Sequence, residues 1–128
     1  MKAFAANEWQ RAQRTIQSAA MLAGSDPDSA VSRAYYAVFH AVTALFAWRG
    51  QGFTKHSALR AVLHKDLINT GQWPAELGKD YDFLMDLRET GDYGGLARVT
   101  EQDAHKAVEA AQRILAACQK TQPELTAP

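Results

Sequence analysis

The segment from Ala30 to Trp48 constrains this chain more than any other, because it is almost wholly apolar and has helical character throughout. A helix that is hydrophobic on every side needs partners on every side, so it belongs at the centre of a bundle. Yet it carries Arg33 and His40, seven residues apart. At 100° per residue, seven steps return His40 to within about 20° of Arg33, roughly 10 Å along the axis. Tyr36 lies between them on nearly the same side. A polar stripe on such a helix must be satisfied, and it is either a structural hydrogen-bond network or a site.

The rest of the chain is also helical in pattern, with no alternating strand. The first helix is expected from Asn7, whose spacing to Gln10 resembles a capping box. Its apolar stripe is Trp9, Ala12, Ile16, Ala19 and Ala23, and Gly24 stops it. Asp26-Pro27 starts the second helix, which runs to about Arg49 and ends at Gly50. Thr54 is expected to cap a third helix reaching about Thr70, with Leu59, Val62, Leu63 and Leu67 inward and Gly71 closing it. Trp73-Pro74 opens a fourth, with Leu77, Tyr81, Leu84 and Arg88 at bundle spacing. Thr90-Gly91-Asp92-Tyr93-Gly94-Gly95 then interrupts the pattern. Thr100 with Asp103 caps a fifth helix, whose inner stripe is Ala104, Val108, Ala111 and Leu115. Short connections favour antiparallel neighbours. The fold class is therefore all-α, an up-and-down bundle of four main helices plus a fifth.

A chain of 128 residues fits one domain, here residues 1–120, followed by a frayed, flexible tail over 121–128. No apolar window has transmembrane length, since Arg33 and His40 break the best one and Arg49-Gly50 ends it. The N-terminus lacks the cationic and apolar regions of a signal peptide. The single cysteine, Cys118, has no internal partner, so a reducing cytoplasm is the natural compartment, and the thiol reads as a small apolar helix residue. Basic and acidic side chains balance at 14 each, which argues against a strong non-specific polyanion binder. A local basic site remains open, because Arg49, Lys55, Arg60 and Lys65 share a stretch containing one acid, Asp66.

Two segments carry a resemblance. The first is Ala30-Val-Ser-Arg-Ala-Tyr-Tyr-Ala-Val-Phe-His40-Ala, and the second is Leu87-Arg88-Glu89-Thr90-Gly91-Asp92-Tyr93. Lys55-His56-Ser57 and Trp73-Pro74-Ala-Glu-Leu lie between them. In this order they resemble the HEPN superfamily of small prokaryotic all-α proteins, over roughly Asn7 to Lys120. The likeness is strongest to the branch with a Tyr-Tyr-Ala-x-Phe-His helix and a later Arg-x-x-x-Asp-Tyr. It implies a HEPN-like bundle, usually a homodimer, often encoded with a minimal nucleotidyltransferase as a toxin and antitoxin pair. Many such proteins are metal-independent ribonucleases using an Arg, four to six residues, then His on a late helix. Here the late arginine is Arg88, and Tyr93, preceded by Asp92, stands where that histidine often falls. Arg33 and His40 have the six-residue spacing, but on the second helix.

RNA cleavage without a metal needs a base for the 2′-hydroxyl, an acid for the leaving oxygen and a cation for the phosphorane. Histidine and arginine suit these tasks. Arg88, His40, Arg33, Asp92 and Tyr93 are the catalytic candidates, with Arg33, His40 and Arg88 read as inward-facing. Alternatively, Arg88–Asp92 is a salt bridge pinning the loop, and His40 is a satisfied core histidine. Tyr36, Lys55, His56 and Arg60 are candidates for contacting RNA or a nucleotide. His56, Arg60 and His64 recur every four residues opposite the Leu59–Leu63 side, where a solvated face is the alternative. Tyr35, Tyr36, Phe39, Phe46 and Trp48 read as core and dimer interface. The four histidines form no zinc pattern, and neither a metal nor a cofactor is expected. Two functions fit: a protein that binds or cleaves RNA or a nucleotide, and a non-catalytic helical interaction or nucleotide-binding module with a degenerate nuclease motif.

Overall fold

The computed structural model describes residues 1–93 and 98–126, with Tyr93 described in its backbone alone. Five α-helices follow in order: α1, Lys2–Leu22; α2, Pro27–Trp48; α3, His56–Leu63; α4, Ala75–Tyr93; and α5, Glu101–Thr121. A π-helical turn, His64–Ile68, continues α3, and a short 3₁₀ turn, Pro123–Leu125, follows α5. The architecture is an all-α bundle of four long helices and one short one. The centre is α2, which packs on α1, α3, α4 and α5.

Alanine rhythm sets the pairing of α1 with α2. Ala30, Ala34, Ala37, Ala41 and Ala44 alternate four- and three-residue steps and are fully buried. On α1 the same rhythm runs Ala5, Trp9, Ala12, Ile16, Ala19, Ala23, the expected stripe extended by one turn. Small side chains along both seams let the backbones approach closely. That seam carries α1 back to Lys2, so Asn7 is an exposed residue inside the helix and not its cap. Glu8, Arg11, Thr15 and Ser18 run beside the α1 seam, while Arg33 and His40 run beside that of α2.

Local signals govern the other ends unevenly. Asp26 caps α2 by accepting from the Ser29 amide, with Pro27 in the first turn. Gly50 and Gly71 take left-handed conformations at φ 84° and 79°, as helix-ending glycines do, whereas Gly24 does not. Thr54 does not cap α3: the cap position is Lys55, with no side-chain bond. Thr90-Gly91-Asp92 fails to break α4, which runs through to Tyr93. Thr90 bonds back to the Asp86 carbonyl at 3.3 Å, and Gly91 lies so close to α2 that a Cβ would meet the Asp28 carbonyl oxygen at 3.4 Å. Packing on α2 overrides the turn propensity of these residues. Thr100 and Asp103 form the expected reciprocal capping box. Within the stretch read as a tail, Leu125 is 4% exposed.

No helix among the described residues is long and apolar enough to cross a membrane. Cys118 is buried, which pushes its thiol pKa up. Most apolar residues of α2 are buried within the single chain, while Tyr36, Phe39 and Trp48 are half-buried.

Candidate functional site

Tyr81, Leu84 and Arg88 share the inner face of α4, and this register delivers one guanidinium onto the aromatic segment of α2. Arg88 Cζ stands 4.8 Å from the Tyr35 ring centre and 5.7 Å from that of Tyr36, within cation–π range. Its Nη1 donates to the Tyr36 hydroxyl at 3.2 Å. Nη1 also lies 3.7 Å from Asp92 Oδ2, one helical turn on, an ion pair looser than a charge-assisted hydrogen bond. The side chain is only 13% exposed, and Nε is buried without a hydrogen-bond partner. Burial disfavours the charge, but Tyr36, Tyr35 and Asp92 outweigh it and raise the pKa, so the group stays cationic.

The helix α3 completes this cluster. His56 stacks on Phe39 with ring centres 4.3 Å apart and on Tyr35 at 5.6 Å. Its Nδ1 is 2.6 Å from the Tyr35 hydroxyl. Tyr35 is fully buried, and burial raises its pKa despite nearby Arg88, so it remains a phenol. With Tyr35 assigned as donor, the neutral His56 carries its proton on Nε2. Burial, then the charge of Arg88, lowers the His56 pKa, which leaves the ring neutral near pH 7. The Tyr81 hydroxyl, buried beside Tyr35, has no partner in hydrogen-bonding geometry.

The His56–Arg60–His64 row reaches α2 and α4 with its side chains half-buried, Arg60 at 39% and His64 at 30% exposure. Arg60 Nε donates to Asp82 Oδ1 at 2.9 Å, and His64 Nε2 meets the same oxygen at 3.1 Å. These contacts tie α3 and its π turn to α4. Lys55 is exposed at the start of α3.

Arg33 and His40 belong to a second place, on the far edge of the α1–α2 seam. His40 Nδ1 is 2.6 Å from Glu8 Oε2, and Glu8 is 5% exposed. Arg11 approaches the other oxygen at 3.5 Å. Arg33 is exposed, which corrects its inward placement, because it lies outside the alanine seam. It shares a shallow surface depression with His40, Arg11, Arg14, Thr15 and Ser18. The helical-wheel coincidence of Arg33 and His40 is thus real, but neither joins Arg88.

The structure brings together Arg88, Asp92, Tyr36 and His56. The Tyr93 side chain and the Gly94–Gly95 backbone lie outside the described residues. Sequence reasoning missed Glu8, Tyr35 and Asp82 as partners. Glu8 left a signal in standing beside Trp9 at the edge of an apolar stripe. Among the described residues, no group of three or more His, Cys, Asp or Glu side chains is placed to hold a metal ion.

Residues 6–121 match the family model described as the HEPN domain. The chain belongs to this family. A UPF0332 protein of Thermotoga maritima is 36% identical over 111 residues, covering 86% of this chain and 84% of that one. A UPF0332 protein of Gloeobacter violaceus is 30% identical over 107 residues, 82% of this chain and 85% of its own. A Methanocaldococcus jannaschii protein provisionally named a toxin is 28% identical over 96 residues, 74% of this chain and 65% of the other. Among solved structures, TT1696 from Thermus thermophilus superposes with a TM-score of 0.78 at 25% identity, covering 91% of this HEPN chain and 96% of that one.

Proposed function

We propose that this HEPN protein binds and cleaves RNA at Arg88, as a homodimer and as the toxin half of a pair with a minimal nucleotidyltransferase, in the cytoplasm. One observation carries the reading. Arg88 is a nearly buried cation with an unpartnered Nε, held by two tyrosine rings and only loosely paired with Asp92. A buried guanidinium without full compensation is costly, and a phosphate group supplies the missing acceptor. The late-arginine position within the HEPN pattern and the name of the archaeal relative support the same reading.

The chemistry needs only groups at this place. The 2′-hydroxyl oxygen attacks phosphorus and gives its proton to Asp92. Arg88 and the Nε2–H of His56 steady the phosphorane oxygens. The bond from phosphorus to the 5′ oxygen breaks, leaving a 2′,3′-cyclic phosphate. Tyr36, whose hydroxyl accepts from Arg88, keeps its own proton for the departing oxygen. The alternative is a non-catalytic module, favoured by Tyr93 standing where the family's histidine often falls. Incubating purified protein with RNA in excess chelator distinguishes them: cleavage that Arg88→Ala lowers about a hundredfold or more supports the nuclease. Intact RNA with the wild type supports the module.

A further inference from the structure

The shallow depression on the α1–α2 edge is rich in positive charge. Three arginines, Arg11, Arg14 and Arg33, line it together with His40 and the hydroxyls of Thr15 and Ser18. Of these three, among the described residues, Arg11 alone forms an ion pair, and that carboxylate, Glu8, is buried and bonded to His40. Among the described residues, no carboxylate pairs with Arg14 or Arg33. The acids of the chain concentrate elsewhere, with Glu76, Asp80, Asp82, Asp86, Glu89 and Asp92 all on α4. Two uncompensated guanidinium groups converging on one concavity repel each other unless an anion lies between them.

The donor set selects the anion. Guanidinium forks and hydroxyls match the oxygens of a phosphate ester, while His40 is held by Glu8 through Nδ1. Arg33 also lines a neighbouring depression with Gly91 and Asp92, at the end of α4 that carries Arg88. Arg33 thus stands between the basic depression and the end of α4. Asp28 in that second depression repels phosphate and Asp92 belongs to the Arg88 site, so a flanking anionic strand sits on the α1 side of Arg33.

We infer that this groove holds the phosphodiester backbone of single-stranded RNA, outside the nucleotide engaged at Arg88. The inference rests on the RNA reading of the Arg88 site and adds where the flanking strand runs. Arg14 and Arg33 are the principal phosphate contacts. Neither packs in the core, so the double substitution leaves folding intact.

The test is fluorescence anisotropy of a labelled single-stranded RNA across a salt series, with the full-length wild type, Arg14→Ala/Arg33→Ala and Arg14→Lys/Arg33→Lys. Each phosphate contact to a single strand contributes about 0.7 to the slope of log affinity against log salt. The alanine pair should lower that slope by about 1.4 and weaken binding at low salt on the order of tenfold, while the lysine pair keeps the slope. An unchanged slope in the alanine pair overturns the groove, even where RNA is cleaved at Arg88. A slope that falls as expected, with binding and cleavage indifferent to Arg88→Ala, upholds the groove and removes the Arg88 reading. No RNA binding by the wild type at low salt overturns both.

Discussion

The Tyr35 hydroxyl and His56 Nδ1 stand 2.6 Å apart, joining the most buried phenol of α2 to the ring that opens α3. Burial and the charge of Arg88 both hold the folded His56 pKa below its ordinary value of 6.5. The unfolded chain then binds the extra proton more readily, so stability rises with pH across this range. The contribution is fully present above pH 6.5 and is lost as pH falls through the lower, folded pKa. Melting temperatures measured between pH 8 and pH 5 should drop on acidification below 6.5, and His56→Phe should flatten that part of the profile. An identical profile in the variant would assign the acid sensitivity to other groups.

His40 and Glu8 form the second close pair across helices, also at 2.6 Å. Removing the imidazole leaves a buried carboxylate with Arg11 alone at 3.5 Å. His40→Ala should therefore cost about 1–3 kcal/mol in urea unfolding. Glu8→Gln, which retains an acceptor, should cost less. A His40→Ala protein of unchanged stability that has lost RNA binding or cleavage would move His40 from a structural role to a working one.

Gly78 is buried within α4, opposite the π turn. A helical glycine replaced by alanine ordinarily gains up to about 1 kcal/mol. Here the new Cβ would lie 2.9 Å from His64 Cε1 and 3.3 Å from Ile68 Cγ1. The His64 ring must move, and with it the bond to Asp82 that also anchors Arg60. Gly78→Ala should thus destabilise the fold by about 1 kcal/mol or more. Pairing it with His64→Ala should recover most of the loss, and a stabilised single variant would refute the crowding.

The fold was legible because its signals were periodic and redundant. Asp26-Pro27, Gly50, Gly71 and the Thr100–Asp103 box set helix ends where their chemistry says they should. Signals failed where tertiary packing outweighed them, as at Asn7 inside α1 and at Thr90-Gly91-Asp92 inside α4. The site was only half legible. Arg88 on an inward stripe pointed to its own importance, and wheel geometry put Arg33 beside His40. What sequence spacing cannot show is which helix faces which. Glu8 meets His40 from 32 residues away, and Tyr35 meets His56 from 21. Whole-chain neutrality likewise hid the separation of arginines on the α1–α2 edge from acids on α4.

The homodimer needs its own measurement, since Tyr36, Phe39 and Trp48 on α2 keep partial exposure within one chain. Among the described residues, the large apolar side chains left in solvent lie at the α1 side: Met1 at 58% exposure just before the helix, and Phe4 at 48% and Met21 at 82% on it. Light scattering at micromolar concentration should give the mass of two chains. A monomer there would count directly against it.

Arg88→Lys is the most discriminating single change at the proposed centre. Lysine keeps the charge but loses the planar guanidinium, which reaches Tyr36 and Asp92 and, in the proposed reaction, would also hold a phosphate oxygen. Cleavage should fall about tenfold to a hundredfold, less than in Arg88→Ala, while circular dichroism remains that of the wild type. Tyr36→Phe removes the hydroxyl that accepts from Arg88 and should impair the same step. Tyr93→Phe asks whether a second phenol replaces the absent histidine, since an unperturbed pKa near 10 suits a proton donor better than a base. If Tyr36→Phe cleaves normally and Tyr93→Phe does not, the leaving oxygen takes its proton from Tyr93. If Arg88→Ala retains full activity, the chemistry lies elsewhere in the molecule.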